Sequence, residues 1–138
     1  MPFLFWGRYK PISKHNPRKY QVIEGNGSFT QDVVGESRFQ NNLYKICGGK
    51  TRDGHRKVCV ACLLPEPKNR HDANAIAVYI ENRRVGYIPI EDSCRASEFL
   101  NHKPATAYAI ILGGWRRSFF NRGHFGVKLD IDLGNNDS

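Results

Sequence analysis

The polar side chains best suited to chemistry lie in one short, loop-forming stretch. Between Pro65 and Asn74 the sequence places Asn69, His71 and Asp72 close together. His71 beside Asp72 has the residue types of a general-base pair, but adjacent side chains on an extended chain diverge, so the two would not act together. Asn and Asp side chains often bond to loop amides and fix the shape of the loop, and we expect this structural role mainly for Asn74. The other polar side chains of the stretch are candidates for binding a ligand.

Two further patterns imitate known cofactor sites. Cys59 and Cys62 have the spacing of a zinc half-site or a redox pair, but no second pair accompanies them, and residues three apart in a strand face opposite sides. The run Cys47–Thr51 has the end of a phosphate-binding loop but lacks the earlier glycine and a following helix pattern. We therefore predict core thiols, no metal and no cofactor.

Motifs of common catalytic sites are absent from the sequence. It contains no Gly-x-Ser-x-Gly turn, no His-Glu-x-x-His helix and no convincing pair of carboxylates. We therefore expect a protein that is not an enzyme, although catalytic residues dispersed along the chain are a third possibility beside the two binding functions considered below.

The charge balance favours a polyanionic partner. Lys and Arg number 21 against 13 Asp and Glu, a formal net charge of +8. A basic surface attracts polyanions, of which nucleic acid is the commonest, but the same charge also serves simply to keep a protein soluble. With 138 residues, of which 40% are hydrophobic and 25% charged, the chain predicts one folded domain.

The ends of the chain differ from its middle. Residues 1–28 predict a basic, aromatic arm, residues 29–133 the folded domain, and residues 134–138 a frayed tail. The first residues lack the pattern of a signal peptide, and no stretch approaches the roughly 20 apolar residues of a membrane span. We therefore expect no membrane partner, reduced thiols and an intracellular location, cytoplasmic or, in a eukaryote, nuclear.

Short apolar runs between glycine-rich turns predict a mainly β structure. One helix is expected over Ser93–Leu100, capped by Asp92 or Ser93, with Ala96, Phe99 and Leu100 facing inward. The predicted strands are Thr30–Gly35, Leu43–Cys47, Arg56–Leu64, Ala75–Ile80, Arg84–Ile88, Ala107–Leu112 and Phe125–Leu133. Such a set suggests a closed or nearly closed antiparallel barrel.

Several motifs, taken in order, resemble one family. Glu66-Pro67, Asn69, Asp72 and the run Asn74–Val78 have the order and spacing of the central motif of the HIRAN domain. This domain occurs at the amino end of SWI/SNF-class fork-remodelling helicases and as small bacterial proteins. The runs Val33–Ser37 and Val85–Pro89 and the pair Gly113-Gly114 are similar to its other motifs. The resemblance extends over about Phe29 to Leu133.

The resemblance implies a fold and a ligand. The fold is a modified OB-like antiparallel β-barrel of six to seven strands with one or two short helices, and the ligand is the 3′ end of single-stranded DNA. By position, the loop asparagine and aspartate of the family are Asn69 and Asp72, and the aspartate is the residue that contacts the free 3′ hydroxyl. The stacking aromatics fall on Phe39 and His71. Arg38 stands where animal members have an aromatic residue.

The resulting prediction is a DNA-binding module that recognises 3′ ends. A terminal hydroxyl can donate a hydrogen bond to Asp72, whereas an internal phosphodiester would be repelled. Trp115 suits the core and base stacking equally well. The predicted nucleic-acid-binding residues are Arg38, Phe39, Asn69, Arg70, His71, Asp72, Tyr87, Trp115, Arg116 and Arg117. The alternatives are a protein-interaction domain on the same barrel whose basic face meets an acidic partner, and an accessory subunit of a DNA-processing enzyme, which would make a DNA-processing protein its partner.

Overall fold

A computed structural model describes residues 20–134 of the chain. Within that range the strands are β1 (Gln21–Ile23), β2 (Gln31–Asp32), β3 (His55–Pro65), β4 (Ile76–Ile80), β5 (Arg83–Tyr87), β6 (Ala105–Gly113) and β7 (Phe125–Leu129). The helices are α1 (Gln40–Cys47), preceded by a 3-10 turn (Glu36–Phe39), and α2 (Ile90–Phe99). The predicted mainly β class is confirmed.

The strands form one curled, seven-stranded sheet in the order β2-β7-β6-β3-β4-β5, with β1 added beside β6. Neighbours along this order are antiparallel, whereas β1 runs parallel to β6. The long strand β6 pairs with β3 on one side and with both β1 and β7 on the other. This arrangement is consistent with the predicted OB-like barrel.

The segment after β2 brings the two edges of the sheet together. Val34 and Tyr87 exchange two backbone hydrogen bonds, each of 2.8 Å, and so join this segment to β5. The approach is close at Gly86, where an added Cβ would lie 2.5 Å from Cγ1 of Val33 and 2.6 Å from the carbonyl oxygen of Val34. Only a residue without a side chain fits this contact, which explains the glycine in β5.

The core lies on the inner face of the curled sheet. Leu63, Val78, Ile111 and Leu129, from four different strands, are completely buried there. Both helices contribute to the same cluster, α1 through Leu43 and Ile46, and α2 chiefly through Ala96. Burial of this apolar surface is the main stabilising term of the fold.

The strand predicted for Leu43–Cys47 is wrong, because these residues form the second half of α1. Leu43 and Ile46, three residues apart, are both buried, as one face of a helix requires. The helix ends at Gly48, which adopts a left-handed conformation with φ of 73°. A short apolar run alone does not distinguish a buried helix turn from a strand.

The predicted helix exists but begins earlier, at Ile90, and has no side-chain cap. Asp92 forms an ion pair with Arg95 at 3.1 Å, and the hydroxyl of Ser93 donates to the carbonyl of Ile90. The expectation that Phe99 faces inward is also wrong, since its side chain is 46% exposed. The local sequence pattern did not show that the helix would begin directly after Pro89, about one turn before the predicted start at Ser93.

The last predicted strand is shorter than expected, because β7 ends at Leu129 and a buried carboxylate follows it. Asp130 accepts backbone hydrogen bonds from Gly27, at 3.0 Å to each oxygen, and from Phe29 at 3.4 Å. Asp130 thereby fastens the connection between β1 and β2 to the sheet.

The predicted arm and tail are only partly described. Residues 1–19 and 135–138 lie outside the described range. The described end of the arm contains β1, which is a strand of the sheet through its pairing with Ala105–Ala107. This part of the arm therefore packs with the domain.

Within residues 20–134 the four cysteines are free, and Cys59 and Cys62 are both buried in β3. Burial raises the pKa of Cys59 to about 12 and that of Cys62 to about 11. The described part of the chain has no group of three His, Cys, Asp or Glu side chains placed to hold a metal ion. No helix in that part is long and apolar enough to cross a membrane.

Candidate nucleic-acid interface

The loop between β3 and β4 is held closed at its base by backbone hydrogen bonds. The amide of Glu66 donates to Ala75 at 2.8 Å, and the amide of Ala75 donates to Asp72 at 3.0 Å. The amide of Asn69 donates to Glu66 at 2.9 Å. The residues between are thus presented on a short, fixed turn.

The side chain of Asn69 organises this turn. Its Oδ1 accepts from the amides of His71 at 2.9 Å and Asp72 at 3.1 Å, and its Nδ2 donates to Glu66 at 3.0 Å. Both lone-pair directions of the oxygen are therefore occupied within the loop. The side chain of Asn69 therefore fixes the shape of the loop, the role that the sequence suggested for the side chain of Asn74. Asn74 contributes through its backbone amide, which donates to Asp72.

Asp72 uses one carboxylate oxygen for the loop and leaves the other available. Its Oδ1 accepts from the amide of Asn74 at 2.9 Å. The second oxygen forms no hydrogen bond with any residue from 20 to 134, and the side chain is half-buried. The turn therefore holds the carboxylate in one orientation while keeping an acceptor for a ligand.

A chain of polar contacts links the loop to β5. The hydroxyl of Tyr87 donates to Glu66, at 3.0 and 3.2 Å to its two oxygens, and accepts from Nη1 of Arg84 at 2.6 Å. The Arg84 guanidinium in turn lies 5.5 Å from the ring centre of Phe39 and 5.9 Å from that of Tyr79. The contacts therefore run from Asn69 through these residues to the end of the 3-10 turn.

This environment shifts the pKa of two of these groups. Burial and the hydrogen bond to Glu66 raise the pKa of Tyr87, against the opposing effect of Arg84. Burial lowers the pKa of Arg84, but the hydrogen bond to Tyr87 and the nearby Tyr79 and Glu66 outweigh it, so the net shift is upward. At neutral pH the phenol therefore remains a donor, and the guanidinium remains charged.

The structure brings together four of the predicted site residues, namely Phe39, Asn69, Asp72 and Tyr87, through Glu66 and Arg84. Three others, Arg38, Arg70 and His71, are exposed and adjoin members of this group in the chain. We call these nine residues the loop face.

Glu66 was predicted only as part of the family motif, and Arg84 is the member that sequence reasoning missed altogether. Its strand was predicted, but its position over Phe39 depends on the pairing of β5 with the segment after β2. The available signal was its spacing of three residues from Tyr87, which is too common to single it out. The side chain of Asn42, in α1, also donates to the carbonyl of Arg84 at 2.8 Å and fixes this part of β5.

The remaining predicted residues belong to a separate hairpin that extends β6 and β7. Trp115 bridges to Thr51 and accepts a backbone hydrogen bond from Gly123 at 2.9 Å. Its half-buried indole packs against Gly123, where any Cβ would collide with the ring, and the guanidinium of Arg117 lies 5.0 Å from the ring centre. These contacts hold Trp115 within the hairpin rather than on the loop face, and Arg116 and Arg117 are exposed beside it.

Within residues 20–134 the arginines of both regions have no carboxylate in ion-pair distance. Among residues 20–134, the ion pairs within 4.0 Å are Arg95 with Asp92 and Lys128 with Asp32. The exposed arginines at 38, 70, 116 and 117 are in neither pair. Unpaired cations of this kind suit an anionic ligand, because an acidic neighbour would have to be displaced first.

Comparison with known protein families gives one match. A family model described as the HIRAN domain matches residues 27–115, more than half of the chain. The comparisons with curated proteins and with solved structures found no match. The matched segment contains the loop face and ends at Trp115, so the outer part of the hairpin lies beyond it. The resemblance inferred from the motifs is confirmed.

Proposed function

Because this chain belongs to the HIRAN domain family, whose domain is a DNA-binding module, we propose that the loop face binds the 3′ end of single-stranded DNA. The proposal is for a binding module without a catalytic step. Its ligand is a strand end that carries a free hydroxyl.

The observation that carries the proposal is the position of Asp72. Asp72 lies two residues from the exposed Arg70, its Oδ1 accepts from the amide of Asn74, and its other oxygen has no hydrogen-bond partner within residues 20–134. Both oxygens of Glu66, the other carboxylate of the loop face, already accept from Tyr87. A terminal hydroxyl donates to the unbonded oxygen of Asp72, whereas a phosphate at the same place brings two negative charges together. The unbonded oxygen of Asp72 in a basic surface therefore favours an end over the interior of a strand.

The neighbouring residues supply the binding energy. Phe39, held beside Arg84, and the exposed His71 offer stacking surfaces, and a stacked base contributes about 1–3 kcal/mol regardless of its identity. Arg38 and Arg70 are available for the phosphates that precede the terminal sugar. The second hydrogen of the Asn69 amide, beyond the one given to Glu66, can donate to a base or backbone oxygen.

The direct test compares two short strands that differ only at the end, one with a 3′ hydroxyl and the other with a 3′ phosphate. We expect the wild-type protein to bind the hydroxyl strand more tightly. In Asp72→Asn the amide oxygen keeps the bond to Asn74 but the charge is gone. This variant should bind the phosphate strand more tightly than wild type does and lose most of the preference.

The matched control is Asn74→Ala, which alters the same loop but keeps the backbone amide that donates a hydrogen bond to Asp72. It should retain the preference for the hydroxyl end. Equal affinity of the wild-type protein for both strands would refute the end-reading proposal. So would a full preference that survives in Asp72→Asn.

A further inference from the structure

An open cleft of about 210 Å³ lies between α1 and the hairpin. Its lining includes Gln40, Asn41, Tyr44, Lys50, Arg116 and Arg122. Three of these side chains are cationic and none is acidic. Within residues 20–134 none of the three cations forms an ion pair. The cleft is thus a concentration of positive charge without a counter-charge from the described part of the chain.

Two of the cations are held opposite each other. Arg116 and Arg122 form an antiparallel bridge, flanked by backbone hydrogen bonds from Arg117 to Asn121 and from Gly123 to Trp115. This pattern defines a non-hydrogen-bonded pair, the kind in which facing side chains come closest. Like charges directly opposite each other on a sheet are destabilising, so the pair lowers stability until an anion neutralises it.

The cleft is built from ordered elements rather than loose side chains. The amide of Gln40 donates to the carbonyl of Phe125 at 3.0 Å and accepts from its backbone N–H at 2.8 Å, which fixes α1 against the base of the hairpin. The guanidinium of Arg122 lies 5.2 Å from the ring centre of Phe119. The positions of the two walls are therefore set before any ligand arrives.

Exposed aromatic rings lie beside the charges, since Tyr44 lines the cleft and Phe119 contacts the guanidinium of Arg122. Tyr44 is 52% exposed, and at the tip of the hairpin Phe119 and Phe120 are 63% and 93% exposed. Rings beside cations are the combination that binds single-stranded nucleic acid, in which each phosphate is accompanied by a base that stacks. A small inorganic anion would use the charges and leave the rings uncovered.

We propose that this cleft binds phosphates in the interior of a single strand, as a second contact beyond the loop face. The proposal rests on the proposed function in taking single-stranded DNA as the ligand. Gln40 of the cleft directly follows Phe39 of the loop face, and neighbouring Cα atoms are about 3.8 Å apart. The two surfaces thus adjoin each other in the chain at the start of α1, and the proposal places one strand across both.

The test uses circular single-stranded DNA, which has no end for Asp72 to recognise. In the double variant Arg116→Gln/Arg122→Gln, the plot of log affinity against log salt should become shallower by about 1.4, because each neutralised phosphate contributes about 0.7. Taking the two proteins to bind equally at 1 M salt, this difference in slope makes the variant bind about 25-fold more weakly than wild type at 0.1 M salt. The free protein should melt no lower than wild type, because a like-charge pair has been removed.

The matched control is Arg83→Gln/Lys103→Gln, which removes the same charge from exposed positions outside the cleft. It should leave most of the affinity and the salt slope intact. Three results would overturn the proposal: no binding of the circle by wild type, an unchanged circle affinity in the cleft variant, or an equal loss in the control. Competition by millimolar inorganic phosphate as effective as that by DNA would overturn it too, since it would indicate a small-anion site.

The two proposals fail separately. If the cleft binds strand phosphates but the loop face does not distinguish strand ends, the cleft variant loses affinity for the circle while wild type binds hydroxyl and phosphate ends equally. If the loop face distinguishes strand ends but the cleft does not bind strand phosphates, the cleft variant keeps both its affinity for the circle and its preference for the hydroxyl end.

Discussion

The closure of the sheet at Gly86 gives the sharpest test of the fold. In Gly86→Ala the new methyl group would lie 2.5 Å from Cγ1 of Val33 and 2.6 Å from the carbonyl oxygen of Val34. Carbon atoms in contact prefer about 3.5–4.0 Å, so something must move by about 1 Å. Val33 is only 3% exposed, and Val34 is held by its two hydrogen bonds to Tyr87. Relief therefore requires opening the bridge that joins the two edges.

The expected cost follows from these contacts. Overpacking of this kind costs about 1–3 kcal/mol, and each of the two bridge hydrogen bonds contributes about 0.5–1.5 kcal/mol if it is lost. Replacing glycine by alanine returns about 0.4–1 kcal/mol by restricting the unfolded chain. The net loss in the free energy of unfolding is about 1–5 kcal/mol, centred near 3 kcal/mol, which for a domain of this size lowers the melting temperature by roughly 10 °C.

Gly126→Ala is the matched control, because this glycine also lies in a strand but has room for a methyl group. The nearest atom to its added Cβ is Oε2 of Glu36, at an ordinary contact distance of 3.7 Å. The control should melt at or slightly above the wild-type temperature. Urea unfolding followed by circular dichroism measures both variants. A Gly86→Ala protein as stable as wild type, or equal losses in the two variants, would refute the account of the closure.

Four other predictions concern single groups. Asp130→Ala should lower the free energy of unfolding by about 2 kcal/mol in urea, because backbone donors lose a charged acceptor, and Asp130→Asn should recover part of this loss. Tyr87→Phe should cost about 1 kcal/mol by removing one of the two side-chain donors to Glu66, the other being Asn69, and should weaken DNA binding in a fluorescence anisotropy titration; unchanged values in both measurements would contradict the network. At pH 8 a thiol-labelling reagent should modify the exposed Cys94 and spare Cys59, whose burial raises the pKa to about 12, whereas labelling of both at equal rates would contradict that burial. Between pH 9 and 12 the unfolded thiol of Cys59 loses its proton first, so its contribution to stability should fall as the pH rises through this range.

Local sequence pattern was sufficient for the class of fold and for most of its elements. The apolar runs at 56–64, 75–80 and 107–112 are strands because β-branched and small apolar residues between turns favour a pleated, buried backbone. The same reasoning failed for Leu43–Cys47, since a run of five residues fits one and a half turns of helix as well as a strand. The motifs around Asp72 were sufficient for the family, because their order and spacing are visible without a structure.

Other features depended on residues that are distant in the chain. Arg84 reaches Phe39 only because the sheet curls until Val34 pairs with Tyr87, and no local pattern encodes that closure. In the loop, Asn69 fixes the turn and Asp72 keeps one oxygen available for a ligand. These two roles depend on hydrogen-bond directions that residue types do not specify. The facing pair Arg116 and Arg122 depends on the register of a hairpin, where a shift of one residue would place the charges on opposite faces. Spacing along the chain identifies the candidate side chains, but strand pairing determines which of them come into contact.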